Sequence, residues 1–352
     1  MIQRKLTKTI TIGNRQVGGQ APILVQSMTK TNTCQIEETI SQIKELEAAG
    51  CELVRVAVPN KDAARALAEI KKAIQIPLIA DIHFDYRLGI MAIEHGADAL
   101  RLNPGNIGSE RSWEAVVVTA RERNIPIRVG VNAGSIEKEF AHRDGTDTAE
   151  MMVESALKNI ALLERLNFYE LKLSLKASDP WTTIQAYRLI AQRVDYPLHI
   201  GVTEAGPLFS GLIKSSVALG ILLAEGIGDT IRVSLSASPV KEVKAAYGIL
   251  RALGLREKGI EIISCPTCSR CQIDVMTMAE RIEEALGQAQ TPLKVAIMGC
   301  EVNGPGEARE ADIGIAGGRG GGLLFRHGQV IAKLSEDELY PALLSEIKKL
   351  TN

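Results

Sequence analysis

The feature that most constrains the fold of this chain is a pattern that occurs eight times. Each time, a short run rich in β-branched residues is followed by a longer stretch with helical periodicity. Such alternation is typical of βα units wound around a parallel sheet. Eight consecutive units predict a closed α/β structure, the TIM or (β/α)8 barrel. The predicted strands are Ile23–Met28, Leu53–Val58, Leu78–His83, Ala99–Asn103, Ile127–Val131, Glu170–Leu175, Leu198–Val202 and Ile231–Leu235.

The chain is also long enough for a second domain. Its 352 residues exceed the size at which a single hydrophobic core stops growing. We assign residues 1–255 to the barrel and 256–352 to a smaller α+β domain, because the alternation stops at the charged segment 256–259. A β-rich segment on each side of Gly13 and Asn14 predicts a hairpin that closes the bottom of the barrel. The glycine-rich run 317–322 lacks the spacing of a Rossmann or P-loop phosphate site and predicts a turn between strands.

Charge and hydropathy exclude several classes of protein. The formal net charge of −1 argues against general electrostatic attraction to nucleic acid or to a membrane surface. The N-terminus is basic but has no apolar stretch behind it, and no window approaches the ~18 apolar residues of a membrane helix. We therefore expect a cytoplasmic protein. In that reducing compartment the six cysteines are metal ligands or buried thiols rather than disulfides, with Cys34 and Cys51 as isolated structural thiols.

Charged residues recur inside the predicted strands, although strands of a covered parallel sheet should be almost entirely apolar. They follow a period of two, which keeps their side chains on one face of each strand. We expect that face to point into the barrel mouth, where barrel enzymes have their active sites. The predicted mouth residues are Arg55, Asp81, His83, Arg101, Asn103, Arg128, Asn132, Lys172, Ser174, Lys176, His199, Thr203, Arg232 and Ser234.

The cations of this set predict an anionic substrate. They are Arg55, Arg101, Arg128, Lys172, Lys176 and Arg232. Six cations in one partly dry pocket would repel one another unless a multiply charged anion neutralised them. Arginine binds phosphate oxygens bidentately, so a phosphate or diphosphate is the expected ligand. The alternative is a set of solvated strand-end charges paired with Asp81, Asp85 and Glu204, and six cations in register argue against it.

The candidates for proton transfer are fewer. Glu204 follows the seventh strand and is placed to carry a proton, although a glutamate at a strand end is more often a salt-bridge partner. His83 and His199 are either hydrogen-bond donors to a substrate or packed histidines with satisfied nitrogens.

Cysteines mark a metal centre in the second domain. Three lie in the run Cys265-Pro-Thr-Cys268-Ser-Arg-Cys271, and Cys300 follows about thirty residues later. The C-x2-C-x2-C spacing resembles that of ferredoxins, in which three thiolates hold one iron–sulfur cubane and a distant residue completes it. A four-cysteine structural zinc site accounts for the spacing equally well.

Five segments together resemble one family, that of 4-hydroxy-3-methylbut-2-enyl diphosphate synthase. They are Cys265-Pro-Thr-Cys268, Met298-Gly-Cys300-Glu-Val-Asn303-Gly-Pro-Gly-Glu307, Arg101-Leu-Asn-Pro-Gly-Asn106, Arg128-Val-Gly-Val-Asn132 and His199-Ile-Gly-Val-Thr-Glu-Ala-Gly206. The resemblance extends over essentially the whole chain, in the short bacterial form without the insertion domain of plant enzymes. The segment from Cys300 to Glu307 is highly specific.

The resemblance implies an activity, a cofactor and roles for named residues. It implies that the barrel binds 2-C-methyl-D-erythritol 2,4-cyclodiphosphate and that a [4Fe-4S] cluster drives its two-electron reductive opening, in isoprenoid precursor synthesis. The implied cluster ligands are Cys265, Cys268, Cys300 and Glu307, so Cys271 is not a ligand. Because carboxylate holds iron less firmly than thiolate, Glu307 would leave one iron open to substrate. Glu204 would carry a proton near the substrate, with Asn303 assisting beside the cluster.

The resemblance also implies partners. It implies a head-to-tail homodimer in which the second domain of one subunit caps the barrel of the other, and reduced flavodoxin or ferredoxin as electron donor. The residues alone leave two other functions open. One is a barrel transferase for a phosphorylated or pterin-like substrate with structural zinc in the second domain. The other treats that domain as a plain electron-transfer module with full thiolate ligation.

Overall fold

The computed structural model describes residues 2–107, 110–137, 147–286, 289, 291–300 and 310–351. The chain divides into two compact units, Met1–Arg256 and Glu257–Asn352. This division falls one residue after the predicted boundary. Within the described ranges no helix is both long enough and apolar enough to cross a bilayer.

The first unit is the predicted barrel. Its parallel strands are β3 (Leu24–Met28), β4 (Leu53–Ala57), β5 (Leu78–Ile82), β6 (Ala99–Leu102), β7 (Ile127–Asn132), β8 (Leu171–Lys176), β9 (His199–Ile200) and β10 (Thr230–Ile231). Neighbours in the chain are neighbours in the sheet, β10 pairs with β3, and a bridge between Leu173 and Leu198 joins β8 to β9. The ring is therefore closed, as predicted.

Helices cover the outside of the ring. They are α1 (Ile36–Ala48), α2 (Lys61–Ala73), α3 (Tyr86–Glu94), α4 (Pro104–Ile107), α5 (Glu110–Glu122), α6 (Thr148–Arg165), α7 (Pro180–Arg193), α8 (Leu208–Ala224) and α9 (Pro239–Ala252). Alternate strand residues such as Leu100, Leu102 and Val129 pack under these helices in one large apolar core. Since successive side chains of a strand point to opposite faces, the charged residues between them point inward.

Two features of the ring position the site. The strands β9 and β10 are shorter than predicted, although Arg232 N–H still donates to the Ile200 carbonyl at 3.1 Å. The predicted hairpin is also present, as β1 (Ile10–Ile12) and β2 (Arg15–Val17), with Gly13 at a φ of 56°. Its apolar side chains pack against Leu24, Leu53, Ile79 and Ala99, at or near the strand starts, and so close the bottom of the barrel.

The second unit is the predicted α+β domain. Its elements are β11 (Ile260–Ser264), α10 (Val275–Leu286), β12 (Leu293–Met298), β13 (Ile313–Gly318), β14 (Gly321–Arg326), β15 (Gln329–Leu334) and α11 (Glu336–Thr351). The first three strands are parallel, and β14 and β15 extend the sheet antiparallel. The glycine-rich run forms the turn between β13 and β14, as predicted, with Gly320 at a φ of 75°.

Candidate active site and metal centre

Inside the barrel, charged side chains from neighbouring strands stand in register. Asp81 pairs with Arg101, Arg101 with Arg128, and Arg128 with Lys172. All four are buried. The structure thus brings together residues separated by up to 91 positions, 81 to 172, in one row. The row carries three cations and one carboxylate, so it has an excess of positive charge.

Asp81 is the carboxylate around which the cations gather. Its Oδ1 lies 3.2 Å from Arg101 Nη1, and its Oδ2 lies 3.7 Å from Arg55 Nε and 3.4 Å from His83 Nε2. Burial by itself would raise the pKa of this carboxyl, but Arg55, His83 and Arg101 outweigh burial and hold the pKa far below its usual range. Asp81 therefore stays ionised and orients the arginines.

Arg128 and Lys172 lie deeper. Burial, followed by neighbouring cations, lowers the pKa of each well below its usual value. Arg128 Nε and Nη1 and Lys172 Nζ have no hydrogen-bond partner among the described residues. Buried donors of this kind cost free energy unless a ligand satisfies them. Uncompensated positive charge inside the barrel is the electrostatic signature of an anion site.

Lys172 also borders the base of the barrel. Together with Arg128, it lines a cavity of about 10 Å³ whose other walls include Ile10 and Ile12 of the hairpin. This cavity has room for one water molecule but not for a diphosphate. Arg128 and Lys172 are each the second residue of their strand, so both side chains begin near the base of the barrel.

Lys176 and His199 form a buried pair near the seventh strand. Lys176 Nζ lies 3.1 Å from His199 Nε2, and His199 Nδ1 lies 2.8 Å from Thr230 Oγ1. Burial and then Lys176 lower the pKa of His199 well below its usual value, so the imidazole is neutral and Nε2 accepts from Lys176 Nζ. Burial and then Arg128 also lower the pKa of Lys176 well below its usual value. His199 therefore orients Lys176. The Tyr187 hydroxyl fixes this corner by donating to the His199 carbonyl at 2.5 Å and accepting from Leu175 N–H.

Two residues of the site were not predicted. Met28 Sδ accepts from Arg55 Nε and Nη2 at 3.0 and 2.8 Å and lies 3.6 Å from Arg232 Nη1. Glu242, a buried residue of α9, lies 3.5 Å from Arg232 Nε and accepts from Ser27 Oγ at 2.9 Å. The sequence did contain a signal for Glu242, because it is an acidic residue on the buried face of the helix that follows Arg232.

Two glycines make room for the cations. A Cβ at Gly130 would lie 2.6 Å from Arg101 Nε, and a Cβ at Gly201 would lie 2.8 Å from Lys176 Nζ. Gly130 is the register partner of Ser174 on β8, so the same level of the sheet carries a buried hydroxyl. Side chains at these two positions would displace the cations, which explains why the strands carry glycine there.

The other predicted residues lie around the upper end of the strands. Asn103 donates to Ser135 Oγ at 2.8 Å, and His83 Nδ1 lies 3.3 Å from Asn106 Nδ2. Asn132 is in register with Lys176. Thr203 and Ser234 are half-buried beyond the ends of β9 and β10, and Glu204 is exposed beside Thr203 with a φ of 50°. Asp85 instead caps α3 through Arg87 N–H and pairs with the Arg87 side chain.

In the second unit, three cysteines line one cavity. It has a volume of about 150 Å³, and its walls include Cys265, Cys268 and Cys300. Ser264 and Ile297 are register partners on the parallel strands β11 and β12, so the loops after both strands meet at the same sheet edge. The Gly299 N–H donates to Cys265 Sγ at 3.2 Å. The sequence therefore folds three thiols from two distant segments around one space.

Cys271 is not among the described residues that line this cavity. Its Sγ donates to the Ile273 carbonyl at 3.1 Å and, like Cys265, packs against the apolar core of the domain. A Cβ at Gly299 would lie 2.3 Å from this sulfur, so glycine is required between Cys271 and the cavity. The same Cβ would lie 3.3 Å from Cys265 Sγ, so both sulfurs flank Gly299, and the omission of Cys271 from the ligand set rests on the family resemblance. Asn303 and Glu307 lie outside the described residues.

The donor set fits a multinuclear cluster. Among the described residues no three His, Cys, Asp or Glu side chains come close enough to share a single metal ion. A cubane does not require this, because each of its irons takes its own ligand. The two remaining cysteines lie in the barrel unit. Burial raises the pKa of Cys51 to about 12, which makes it an unreactive thiol, and Cys34 is exposed near Asn60.

Comparison with known proteins places both units in one family. The profile of the GcpE TIM-barrel domain matches residues 7–247, and that of the GcpE protein C-terminal domain matches residues 261–349. A protein of Thermodesulfovibrio yellowstonii named 4-hydroxy-3-methylbut-2-en-1-yl diphosphate synthase (flavodoxin) is 56% identical, covering 99% of this chain and 100% of its own length. A protein of Geobacter sulfurreducens with the same name is 58% identical, covering 98% of both chains.

Solved structures support the barrel fold alone. The dihydropteroate synthase of Stenotrophomonas maltophilia superposes with a TM-score of 0.52 at 14% identity, covering 70% of this chain and 98% of that one. The dihydropteroate synthase of Xanthomonas albilineans in complex with 7,8-dihydropteroate gives 0.51 at 15% identity, with the same coverage of both chains. At such low identity the likeness concerns the arrangement of strands and helices, not the ligand.

Proposed function

The chain belongs to the GcpE family, and from this membership we infer that it reductively opens 2-C-methyl-D-erythritol 2,4-cyclodiphosphate to 4-hydroxy-3-methylbut-2-enyl diphosphate. It is an oxidoreductase of isoprenoid precursor synthesis. The observation that carries this function is the excess of buried cations around Asp81, which only a multiply charged anion would balance. A cyclic diphosphate has that charge.

We propose that the substrate diphosphate is held by Arg55, Arg101, Arg128, Lys176 and Arg232. Arginine forks bind phosphate oxygens in a fixed orientation, while Asp81, His199 and Glu242 orient the cations. Asn103, Asn132, Ser174, Thr203, Ser234 and His83 supply further polar groups toward the upper end of the strands. Lys172, the register partner of Arg128, adds positive potential at the same level of the barrel. These assignments follow the charges, the register and the hydrogen bonds of the barrel.

The reaction consumes two electrons and two protons: one C–O bond to the ring diphosphate breaks, and a hydroxyl leaves as water. A [4Fe-4S] cluster held by Cys265, Cys268, Cys300 and Glu307 would supply the electrons and a Lewis-acidic iron. The arginines stabilise the charge that develops on the released diphosphate oxygen. We propose that Glu204, exposed beyond β9, carries a proton to the substrate and that Asn303 assists.

Product identity tests this function. Protein reconstituted anaerobically with iron and sulfide, and given an artificial reductant, should convert the cyclodiphosphate to the linear allylic diphosphate. Phosphorus NMR separates the two, because ring opening leaves one terminal phosphate. Loaded protein that leaves the cyclic compound intact, while the wild-type protein of a curated relative converts it under the same conditions, would contradict the proposal.

We also propose a homodimer whose active sites each combine the barrel of one subunit with the cluster domain of the other. The family resemblance supports this arrangement, and so does an apolar row on α8. Phe209, Ile213 and Val217 are 80, 51 and 49% exposed at helical spacing. Such a row is typical of a surface covered by another subunit. Closure by a partner subunit would exclude water from a reactive intermediate.

Subunit mixing tests the composite site. Arg128→Ala disables a barrel and Cys268→Ser disables a cluster, so each homodimer should be inactive. Co-expressed and randomly paired, the two chains should recover about a quarter of wild-type activity, because half the dimers contain one intact composite site out of two. Tagged chains purified as heterodimers should reach about half. If each site lies within one chain, mixing restores nothing.

The electron donor and the compartment belong to the same proposal. The curated relatives are named for flavodoxin, and we propose flavodoxin as donor here. The three thiols must stay reduced to bind iron, and the cytoplasm keeps protein thiols reduced, which favours a cytoplasmic location. The near-zero net charge supports the absence of nucleic-acid and membrane partners.

A further inference from the structure

A second, larger cleft lies beside the cysteine cavity. It has a volume of about 750 Å³, and it lies wholly within the second unit. Its described lining residues are Ser269, Arg270, Gln272, Cys300, Leu323, Lys333, Leu334 and the segment 317–322. Three of these are cations, Arg270, Arg319 and Lys333, and none is an acid. The described wall of the cleft is therefore purely electropositive.

The side chains of the three cations are exposed to solvent. Arg270 lies in the cysteine-containing loop, Arg319 in the turn between β13 and β14, and Lys333 on the edge strand β15. None of them forms an ion pair with a described residue. A lysine on an edge strand often only prevents aggregation. That explanation does not apply to Arg270 or Arg319, which lie off the edge and face the same cleft.

The glycine-rich run 317–322 lines one side of the cleft. A Cβ added at Gly317 would lie 2.7 Å from the Gly299 carbonyl oxygen. A Cβ added at Gly321 would lie 2.1 Å from the Leu334 carbonyl oxygen. These glycines are thus required by close backbone approach within the sheet. Five of the residues that line the cleft are glycines without side chains: Gly317, Gly318, Gly320, Gly321 and Gly322. A partner surface can approach the backbone there closely.

Cys300 and Arg270 line both the cleft and the cysteine cavity. The two spaces are therefore adjacent. A molecule bound in the cleft would lie next to Cys300, one of the proposed cluster ligands. Electron transfer between proteins uses small, polar, transient interfaces whose formation is guided by complementary charge.

We propose that this cationic cleft is the docking surface for the electron donor, an acidic flavin protein of the flavodoxin class. The proposal rests on the proposed function, because only a redox enzyme requires a donor there. The positive charge of the cleft favours an acidic partner. Because Cys300 lines both the cleft and the cysteine cavity, a partner bound in the cleft would lie beside the cluster. Neither a substrate site nor a structural role requires both features together.

Charge reversal tests the proposal. We expect the Arg319→Glu/Lys333→Glu double variant of the holoprotein to bind oxidised flavodoxin at least about tenfold more weakly, measured by calorimetry at low salt. Arg326→Glu is the matched control, because Arg326 is exposed at the far end of β14 and does not line the cleft. The control should bind flavodoxin as the wild-type protein does. Raising the ionic strength should weaken wild-type binding and leave the double variant little changed.

Turnover separates docking from chemistry. With flavodoxin as donor, the double variant should lose activity in proportion to its binding, whereas an artificial reductant should drive it at the wild-type rate. Unchanged flavodoxin affinity, or an equal loss in Arg326→Glu, would overturn the docking surface. A double variant slow with both donors would also overturn it, since the cleft would then serve the reaction or the fold. Wild-type protein that binds flavodoxin but forms no product would contradict the proposed function and not the docking surface.

Discussion

Replacing Cys268 by serine should abolish iron–sulfur binding, whereas replacing Cys271 by serine should leave it intact. Cys268 lines the cysteine cavity with Cys265 and Cys300, while Cys271 donates to the Ile273 carbonyl and packs in the core. A serine hydroxyl is a poor ligand for iron at neutral pH, so one lost thiolate opens the cluster to solvent. Iron should fall from about four per chain to near zero in Cys268→Ser.

The comparison isolates ligation from folding. Iron, sulfide and visible absorption are measured after anaerobic reconstitution of wild type and both variants. Cys51→Ser is a further control, because Cys51 is a buried thiol of the barrel unit. Cluster loss in Cys271→Ser with retention in Cys268→Ser would show that the C-x2-C-x2-C spacing, and not the cavity, chooses the ligands. Glu307→Ala should give a labile cluster, which distinguishes carboxylate ligation from a site held by thiolates alone.

Replacing Arg128 by methionine should lower activity and raise stability at the same time. Arg128 is buried, has Nε and Nη1 without described partners, and is surrounded by other cations. Methionine has a similar length and no charge, so the free energy of unfolding should rise by about 1 kcal/mol. Losing a bidentate contact to diphosphate should cost about 3 kcal/mol of transition-state stabilisation, or roughly 100-fold in kcat/KM.

These opposite signs distinguish a ligand site from structural charge. Thermal unfolding and steady-state kinetics are measured on the same preparation, with Arg123→Met as control, because Arg123 is an exposed arginine between α5 and β7. The control should change neither quantity. If Arg128→Met is destabilised, or its kcat/KM is unchanged, Arg128 supports the fold and does not hold the substrate.

The fold was predictable because its pattern is local. A period of two within each strand and a helix after each strand specify the barrel, and apolar segments around Gly13 specify the hairpin beneath it. The cysteine set was only partly predictable. Spacing favours Cys271 as a ligand, and its exclusion depends on the family resemblance.

Other features of the site depend on distant contacts. Strand tilt and register set the height of a side chain in a barrel, so the period of two places Arg128 and Lys172 on the inner face but does not specify how far each reaches toward the mouth. Glu242 reaches Ser27 across 215 positions, and Met28 reaches Arg232 across 204. His199 was a candidate donor to substrate, yet both of its nitrogens contact other side chains. The roles of Asn303 and Glu307 remain predictions.

The most direct test of the account is the dependence of turnover on cluster loading. Aliquots of one preparation, reconstituted to increasing sulfide content, are assayed anaerobically with the cyclodiphosphate and an artificial reductant. We expect formation of the linear allylic diphosphate to rise in proportion to sulfide bound and to be zero without it. Product formation by cluster-free protein, or loaded protein that forms none, would contradict the claim that the cluster domain drives chemistry on a diphosphate held in the barrel.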